Sequence, residues 1–293
     1  MNRRDFHSRL TAAIAAAALP GCAQVLHQPV QENPWRAIES LSGGRLGVAV
    51  LQTDGSIEGH RLDERFPMCS TFKWLAAAHV LQRVDRGLER LDRRIPYGRE
   101  VLLPHSPVTE KHVGKGMTLG ELCHATITTS DNAAGNLVLA AGGGPQGLTT
   151  YARSLGDGVT RLDRWETELN EATPGDPRDT TSPRAMAHLL KATLLGDALS
   201  MRSREQLSQW LVACVTNGQR LRADLPAEWR MGSKTGGGGY GSTNDVGIFW
   251  PPGRPPILVT AYVTNTETSQ ADRNAAIAAV ARRVTTSHDP AKR

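Results

Sequence analysis

Ser70 and Lys73 stand three residues apart, and the chain also carries Ser130-Asp131-Asn132, Glu166 with Asn170, and Lys234-Thr235-Gly236. As chemistry, this ordered set supplies a nucleophile, a base beside it, a proton shuttle, a second base with a water-holding partner, and a cation for an anionic substrate. A serine hydroxyl is a weak nucleophile at its own pKa and needs a base within hydrogen-bond reach. Residues three apart share a face of a helix, so Lys73 could serve Ser70. A Ser-x-x-Lys tetrad arises by chance roughly once in a few hundred residues at average composition. Here it occurs once, as do Ser-Asp-Asn and Lys-Thr-Gly. Their joint appearance in this order is hard to assign to chance.

Each piece needs an element to position it, and each has an ordinary alternative. Thr71 to Gln82 is rich in helix formers and holds neither Pro nor Gly, which predicts a helix. Ser70 would sit at its N-terminus, where free N–H groups favour developing negative charge. The alternative is a plain N-cap serine followed by a solvated lysine. Ser130-Asp131-Asn132 falls between two helical stretches, the first opened by the capping box Thr118-x-x-Glu121. A hydroxyl there could relay a proton to a leaving nitrogen, and the Asn132 amide could hold a substrate amide. Ser, Asp and Asn are equally what ordinary caps are made of.

Residues 164–182 are polar, hold Pro174, Gly175 and Pro177, and show no period. They read as a long ordered loop, a kind of segment that is usually functional or disordered. Arg164 and Asp179 could pin its ends as an ion pair, while Glu166 and Asn170 could hold and activate one water. The alternative is an acidic surface loop. Lys234-Thr235-Gly236 follows an expected strand over 228–233 and precedes glycines at 237, 238 and 239. A lysine and a hydroxyl at a strand edge can bind a carboxylate by charge-assisted hydrogen bonds. The glycines would let a ligand approach the backbone closely, or simply form a hairpin turn.

Together these motifs resemble the class A serine β-lactamases, for which the set is characteristic. Further matching stretches are Phe66-Pro67-Met68-Cys69-Ser70-Thr71, Thr109 to Gly114, and Tyr240 to Asp245, so the resemblance covers about residues 35 to 287. It implies a β-lactam hydrolase of penicillins and cephalosporins, working through a Ser70 acyl-enzyme and conferring resistance. Backbone N–H groups of Ser70 and Gly237 would form the oxyanion hole. Ser130 would protonate the lactam nitrogen, tuned by Lys73 and Lys234. Glu166 with Asn170 would drive water onto the ester, and the acylation base stays open between Lys73 and Glu166. Asn132 would contact the acylamide side chain. Lys234, Thr235, Ser130 and Thr216 would hold the substrate carboxylate beside Gly236, and His105 would flank the cleft mouth. Many relatives place an arginine where this chain has Thr243. Arg220 is the candidate replacement, with Arg222 as its neighbour. Cys69 has no partner in the Gly236–Gly239 run, and the position that would pair with Cys123 is Ala77, so neither bridge known in relatives is expected. No cofactor is implied.

The same motifs serve penicillin-binding enzymes and sensors, which acylate and stay acylated. Glu166 with Asn170 in a pinned loop is the equipment that favours turnover. An inert module that kept the fold would be expected to lack at least one chemical residue, and none is missing.

The formal charge of this 293-residue chain is +5, scattered, with no aromatic–basic stripe, which argues against nucleic acid. No metal-ligand spacing appears among Cys22, Cys69, Cys123 and Cys214. Residues 1–22 read as an export signal: Arg3-Arg4-Asp5-Phe6 is a twin-arginine pattern ahead of an apolar stretch too short to span a membrane. Leu19-Pro20-Gly21-Cys22 resembles a lipoprotein cleavage site, which would anchor Cys22 in the outer membrane. Cleavage near Cys22-Ala23, giving a soluble periplasmic protein, is the alternative. Monomer is the default expectation.

Strand patterns at both ends and helical patterns between them predict an α/β fold of two lobes. One lobe, 34–66 with 214–287, would be an antiparallel five-stranded sheet flanked by helices. The other, 67–213, would be all helical, with a linker at 23–33 and a tail at 288–293. The motifs would line the cleft between lobes.

Overall fold

The computed structural model describes residues 33–288. The export segment, Cys22, and all but the inner ends of the linker and tail lie outside the described residues. Helix α1 (Pro34–Ser42) opens on Asn33, whose side chain accepts from the Trp35 amide, and stops at Gly43 in the left-handed region. Strands β1 (Arg45–Leu51) and β2 (Ile57–His60) follow, joined through Asp54-Gly55. Next come α2 (Phe72–Asp85), α3 (Leu119–Thr128), α4 (Asn132–Ala141), α5 (Gly144–Ser154), α6 (Pro183–Leu194) and α7 (Met201–Val212). That stretch is not all helical as expected, since Phe66–Pro67 pairs with Thr180–Thr181 and Arg94–Ile95 with Met117–Thr118 in two short ladders; the long strands β3 (Arg230–Gly237), β4 (Thr243–Trp250) and β5 (Ile257–Thr264) follow, and then α8 (Gln270–Ser287). The five strands form one antiparallel sheet in the order β2-β1-β5-β4-β3.

Helices cover both faces of that sheet, and β1 and β5 read accordingly as near-continuous apolar runs. Alternate residues serve different cores. Leu46, Val48 and Val50 of β1 join Trp35 and Ile38 of α1 and Ile277, Val280 and Val284 of α8. Ala49 and Leu51 face the other way, into the core shared with α2 to α7. The helical region is therefore not sealed off from the sheet: α6 packs on β1 and β5, and α7 on β3.

At the centre of the helical region lies α2, with Phe72 to Ala78 all buried. A helix apolar all round belongs in an interior. It begins one residue later than its composition suggests, because Cys69–Thr71 forms a 3-10 turn first. The cause is long-range: the Asn244 side chain donates to the Pro67 and Met68 carbonyls at 2.9 and 3.1 Å and fixes how the chain enters.

The polar segment between α5 and α6 is ordered by charge. Asp179, whose side chain is 1 % exposed, accepts from Arg164 Nε at 2.6 Å. It also accepts from the backbone N–H groups of Asp163 and Arg164 at 2.7 and 3.0 Å. Arg164 further pairs with Glu171, and Asp163 Oδ2 returns a bond to the Asp179 amide at 3.1 Å. Both ends of the segment are thus tied to one another. Removing one partner of a buried ion pair costs about 3–5 kcal/mol. Asp179→Ala should lower Tm by roughly 6–20 °C and speed amide exchange over 164–179 ahead of the sheet. Unchanged Tm and unchanged exchange in that segment would show that the ion pair does not hold it.

Candidate active site

The 3-10 turn delivers Ser70 to the start of α2, with the residue 8 % exposed. Its Oγ donates to Glu166 Oε1 at 3.1 Å. Lys73, one turn on, is fully buried. Its ammonium donates to Ser130 O at 2.9 Å and Asn132 Oδ1 at 2.5 Å, and lies 2.8 Å from Glu166 Oε1. Of the two candidate bases, the one whose oxygen accepts from the Ser70 hydroxyl is Glu166, and the three donors of Lys73 have acceptors elsewhere. Burial lowers the Lys73 pKa, and the neighbouring Glu166 opposes that shift.

Helix α4 supports this pair with residues one turn apart. Asn132 holds Lys73, while Asn136 exchanges two hydrogen bonds with the Glu166 backbone, each at 3.0 Å. Between them, Gly135 makes room: a Cβ there would stand 2.9 Å from Lys73 Cε. Sequence reasoning missed both Gly135 and Asn136. The available signals were a glycine inside a helical run, which usually has a packing reason, and the Asn132-x-x-x-Asn136 spacing. Asp131, also buried, caps α4 through the Ala134 amide and accepts from the Val108 and Thr109 amides, each at 2.9 Å. It thereby fixes the loop that carries His105. Pro104 and His105 in turn accept from Asn132 Nδ2 and N. His105 itself is exposed, with Nε2 2.8 Å from Thr129 O.

Asn170 closes over the same carboxylate, donating to Glu166 Oε2 at 2.5 Å. From the sheet side, Lys234 donates to Ser130 Oγ at 3.0 Å and to Thr235 O at 2.7 Å. Thr235 Oγ1 lies 2.5 Å from Thr216 Oγ1. Arg220 donates to the carbonyls of Gly236 and Asn244, both at 2.8 Å, and to Asn274 Oδ1 at 3.0 Å. Arg222 is instead tied to Asn217 and to the Val212 and Met231 carbonyls, so of the two arginines Arg220 borders Gly236.

The glycine run acts differently from expectation at three of its four positions. A Cβ at Gly236 would stand 2.8 Å from Met68 O, and one at Gly238 2.5 Å from Asn170 O and 2.7 Å from Cys69 Sγ. A Cβ at Gly239 would strike Glu171 O. These three let protein approach protein. Gly237, the last residue of β3, is exposed and meets nothing nearer than 3.7 Å. Cys69, Cys123 and Cys214 are buried free thiols. Among the described residues, no group of His, Cys, Asp or Glu is placed to hold a metal ion.

Fold and site together define a serine hydrolase of the acyl-transfer type. The sequence family described as "Beta-lactamase enzyme family" matches residues 32–287. The chain is 45% identical to beta-lactamase AST-1 of Nocardia asteroides, covering 96% of this chain and 95% of that one. It is 49% identical to beta-lactamase FAR-1 of Nocardia farcinica over 85% and 80% of the two chains. An ancestral (GNCA) class A beta-lactamase structure superposes with a TM-score of 0.85 at 63% identity, covering 86% of this chain and 97% of its own. The chain belongs to the class A serine β-lactamases.

The two lysines of the site differ electrostatically, and the difference is testable. Burial pulls the Lys234 ammonium down from 10.5 to about 7, with Lys73 and Arg220 adding repulsion. The cation is the form that attracts an anion, and its population falls as pH rises through that value. The free enzyme's kcat/KM for a carboxylate-bearing substrate should therefore decline above about pH 7. Lys234→Arg keeps its charge and should move the decline to higher pH. An identical alkaline limb in both proteins would assign it to another group.

Proposed function

We propose that this β-lactam hydrolase opens penicillins and cephalosporins through an ester on Ser70 that Glu166 and one water then hydrolyse. The observation that carries this reading is the Glu166 carboxylate, with one oxygen 3.1 Å from Ser70 Oγ and the other 2.5 Å from Asn170 Nδ2. One base thus faces both the nucleophile and a residue suited to holding water. Asn170 Oδ1 is buried and finds no partner among the described residues. A buried acceptor of this kind is normally satisfied, and an O–H of the hydrolytic water suits it.

The steps follow from these contacts. Ser70 Oγ attacks the lactam carbonyl carbon as its proton passes to Glu166. The oxyanion that forms is held by the backbone N–H groups of Ser70 and Gly237. Losing one such donor typically costs about 10²–10³ in rate. The C–N bond breaks, and the nitrogen takes the proton of Ser130 Oγ. Lys234, at 3.0 Å from that oxygen, and Lys73, at 3.5 Å, stand ready to resupply it. As Lys73 resupplies Ser130 it takes the Ser70 proton back from Glu166, 2.8 Å away, and Glu166, again a carboxylate, takes a proton from water as the water oxygen attacks the ester carbon. Ser70 leaves with a proton, and the ring-opened acid is released. Lys234, Thr235, Thr216 and Arg220 gather on the side where the substrate carboxylate belongs. Asn132 and His105 border the acylamide side chain. We further propose twin-arginine export to the periplasm, with the protein acting as a monomer. Comparing the membrane fractions of wild type and Cys22→Ala tests the lipid anchor.

Glu166→Ala removes the deacylating base. Lys73, freed of its carboxylate partner, can still take the Ser70 proton, so intact mass of that variant with excess benzylpenicillin should show a slowly formed, lasting adduct on Ser70, with product formation down by about 10²–10⁴, in line with loss of a general base. The wild-type protein should show product with little standing adduct. Wild-type adduct without turnover would indicate a penicillin-binding protein, and normal hydrolysis by Glu166→Ala would unseat Glu166 as the base.

A further inference from the structure

Thr235 has one hydroxyl proton, and the proposed carboxylate site needs that proton pointed at the substrate. The only partner of that hydroxyl among the described residues is Thr216 Oγ1, at 2.5 Å, where either oxygen can donate. Thr216 Oγ1 in turn lies 3.3 Å from Cys214 Sγ, again with either atom able to donate. Three hydroxyl and thiol groups therefore form one chain with two possible directions. If Thr235 donates to Thr216, and Thr216 to sulfur, then Thr235 presents lone pairs to the incoming carboxylate. If Cys214 donates to Thr216, and Thr216 to Thr235, the Thr235 proton is free to meet the anion.

Side-chain chemistry biases the choice. A thiol is a weak donor and a weak acceptor alike, so the bias comes from the far end of the chain. Only the direction that runs from sulfur to Thr235 lets an O–H meet the anion in a charge-assisted hydrogen bond. The scaffold also holds the chain in place. Asn217, one residue beyond Thr216, is buried and donates to Ser233 Oγ of β3 at 2.8 Å. The Val215 amide donates to Thr128 O at 3.0 Å. Cys214 is 4% exposed, so solvent competes little for its proton.

We propose that Cys214 is a positioning residue for substrate binding: its thiol proton orients the Thr216 and Thr235 hydroxyls so that Thr235 donates to the substrate carboxylate. This rests on the proposed carboxylate site and adds to it a residue that touches no substrate. Cys214 stands apart from the bond-making atoms, so its removal acts on KM rather than on kcat.

The test compares wild type, Cys214→Ala and Cys214→Ser on benzylpenicillin and on its methyl ester, which lacks the anionic carboxylate. One neutral hydrogen bond corresponds to about 2- to 10-fold in affinity. Cys214→Ala should raise KM for benzylpenicillin by about that factor with kcat little changed, leave the ester's KM unaltered, and be rescued by the O–H donor of Cys214→Ser. Equal KM rises on acid and ester, or a loss of kcat in step with Tm, would make Cys214 a packing residue and overturn the proposal. An unchanged KM for the acid in Cys214→Ala would overturn it as well. Wild-type protein that binds acid and ester equally would instead count against the carboxylate site itself.

Discussion

A lysine and a glutamate, Lys73 and Glu166, meet at 2.8 Å with neither side chain exposed. Taking two charges out of water costs several kcal/mol per ion, and attraction offsets this only where further hydrogen bonds satisfy both groups. Much of the helical region can be read as meeting that condition. Lys73 finds Ser130 O and Asn132 Oδ1; Glu166 finds Ser70 and Asn170. Gly135 clears the space for the lysine stem, and Asn136 holds the glutamate backbone. The Arg164–Asp179 pair matters for the same reason. A carboxylate carried on a segment without regular structure stays against α2 only if that segment's ends are tied.

The sheet side solves a different electrostatic problem. Lys234 is as buried as Lys73, but its contacts are a hydroxyl and a carbonyl, and no carboxylate pairs with it among the described residues. Asp245 is buried nearby and is raised to about 6 by burial, against the pull of Arg220. The cation of this half of the site is thus left without an internal counter-ion. Its natural partner is an anion from outside. The lysines thus differ in setting: Lys73 is neutralised by a buried carboxylate, while Lys234 faces none among the described residues.

The motifs, the strand leading into Lys234 and the helix start at Thr118 were legible in the sequence because each rests on local rules. Thr118-x-x-Glu121 forms the capping box its spacing predicts, and the apolar run at 46–51 is a strand buried on both faces. What was not legible depends on contacts far apart in the chain. Ser70 and Glu166 are separated by 96 positions, so no local rule says which base faces the hydroxyl. The late start of α2 is set by Asn244, 176 positions from Met68. The glycines at 236, 238 and 239 read as room for a ligand or as a hairpin turn, and they do lead into the β3–β4 hairpin. They accommodate Met68, Asn170, Cys69 and Glu171 instead, because the β3–β4 hairpin must lie directly against the segment that carries Glu166.

That contact also explains why Arg220 is placed where it is. Its Nη1 bridges the carbonyls of Gly236 and Asn244, which are direct partners in the β3–β4 register. Its Nε is held by Asn274 of α8. Two of its three nitrogens are therefore spent on fixing the strand ends, while Nη2 makes no hydrogen bond among the described residues. An arginine arriving on β4 itself, where Thr243 stands, would extend from the strand it supports. Arriving from outside the sheet, Arg220 braces both strands and keeps one donor uncommitted beside Gly236. The same guanidinium thus braces both strands of the hairpin and adds positive charge next to Lys234.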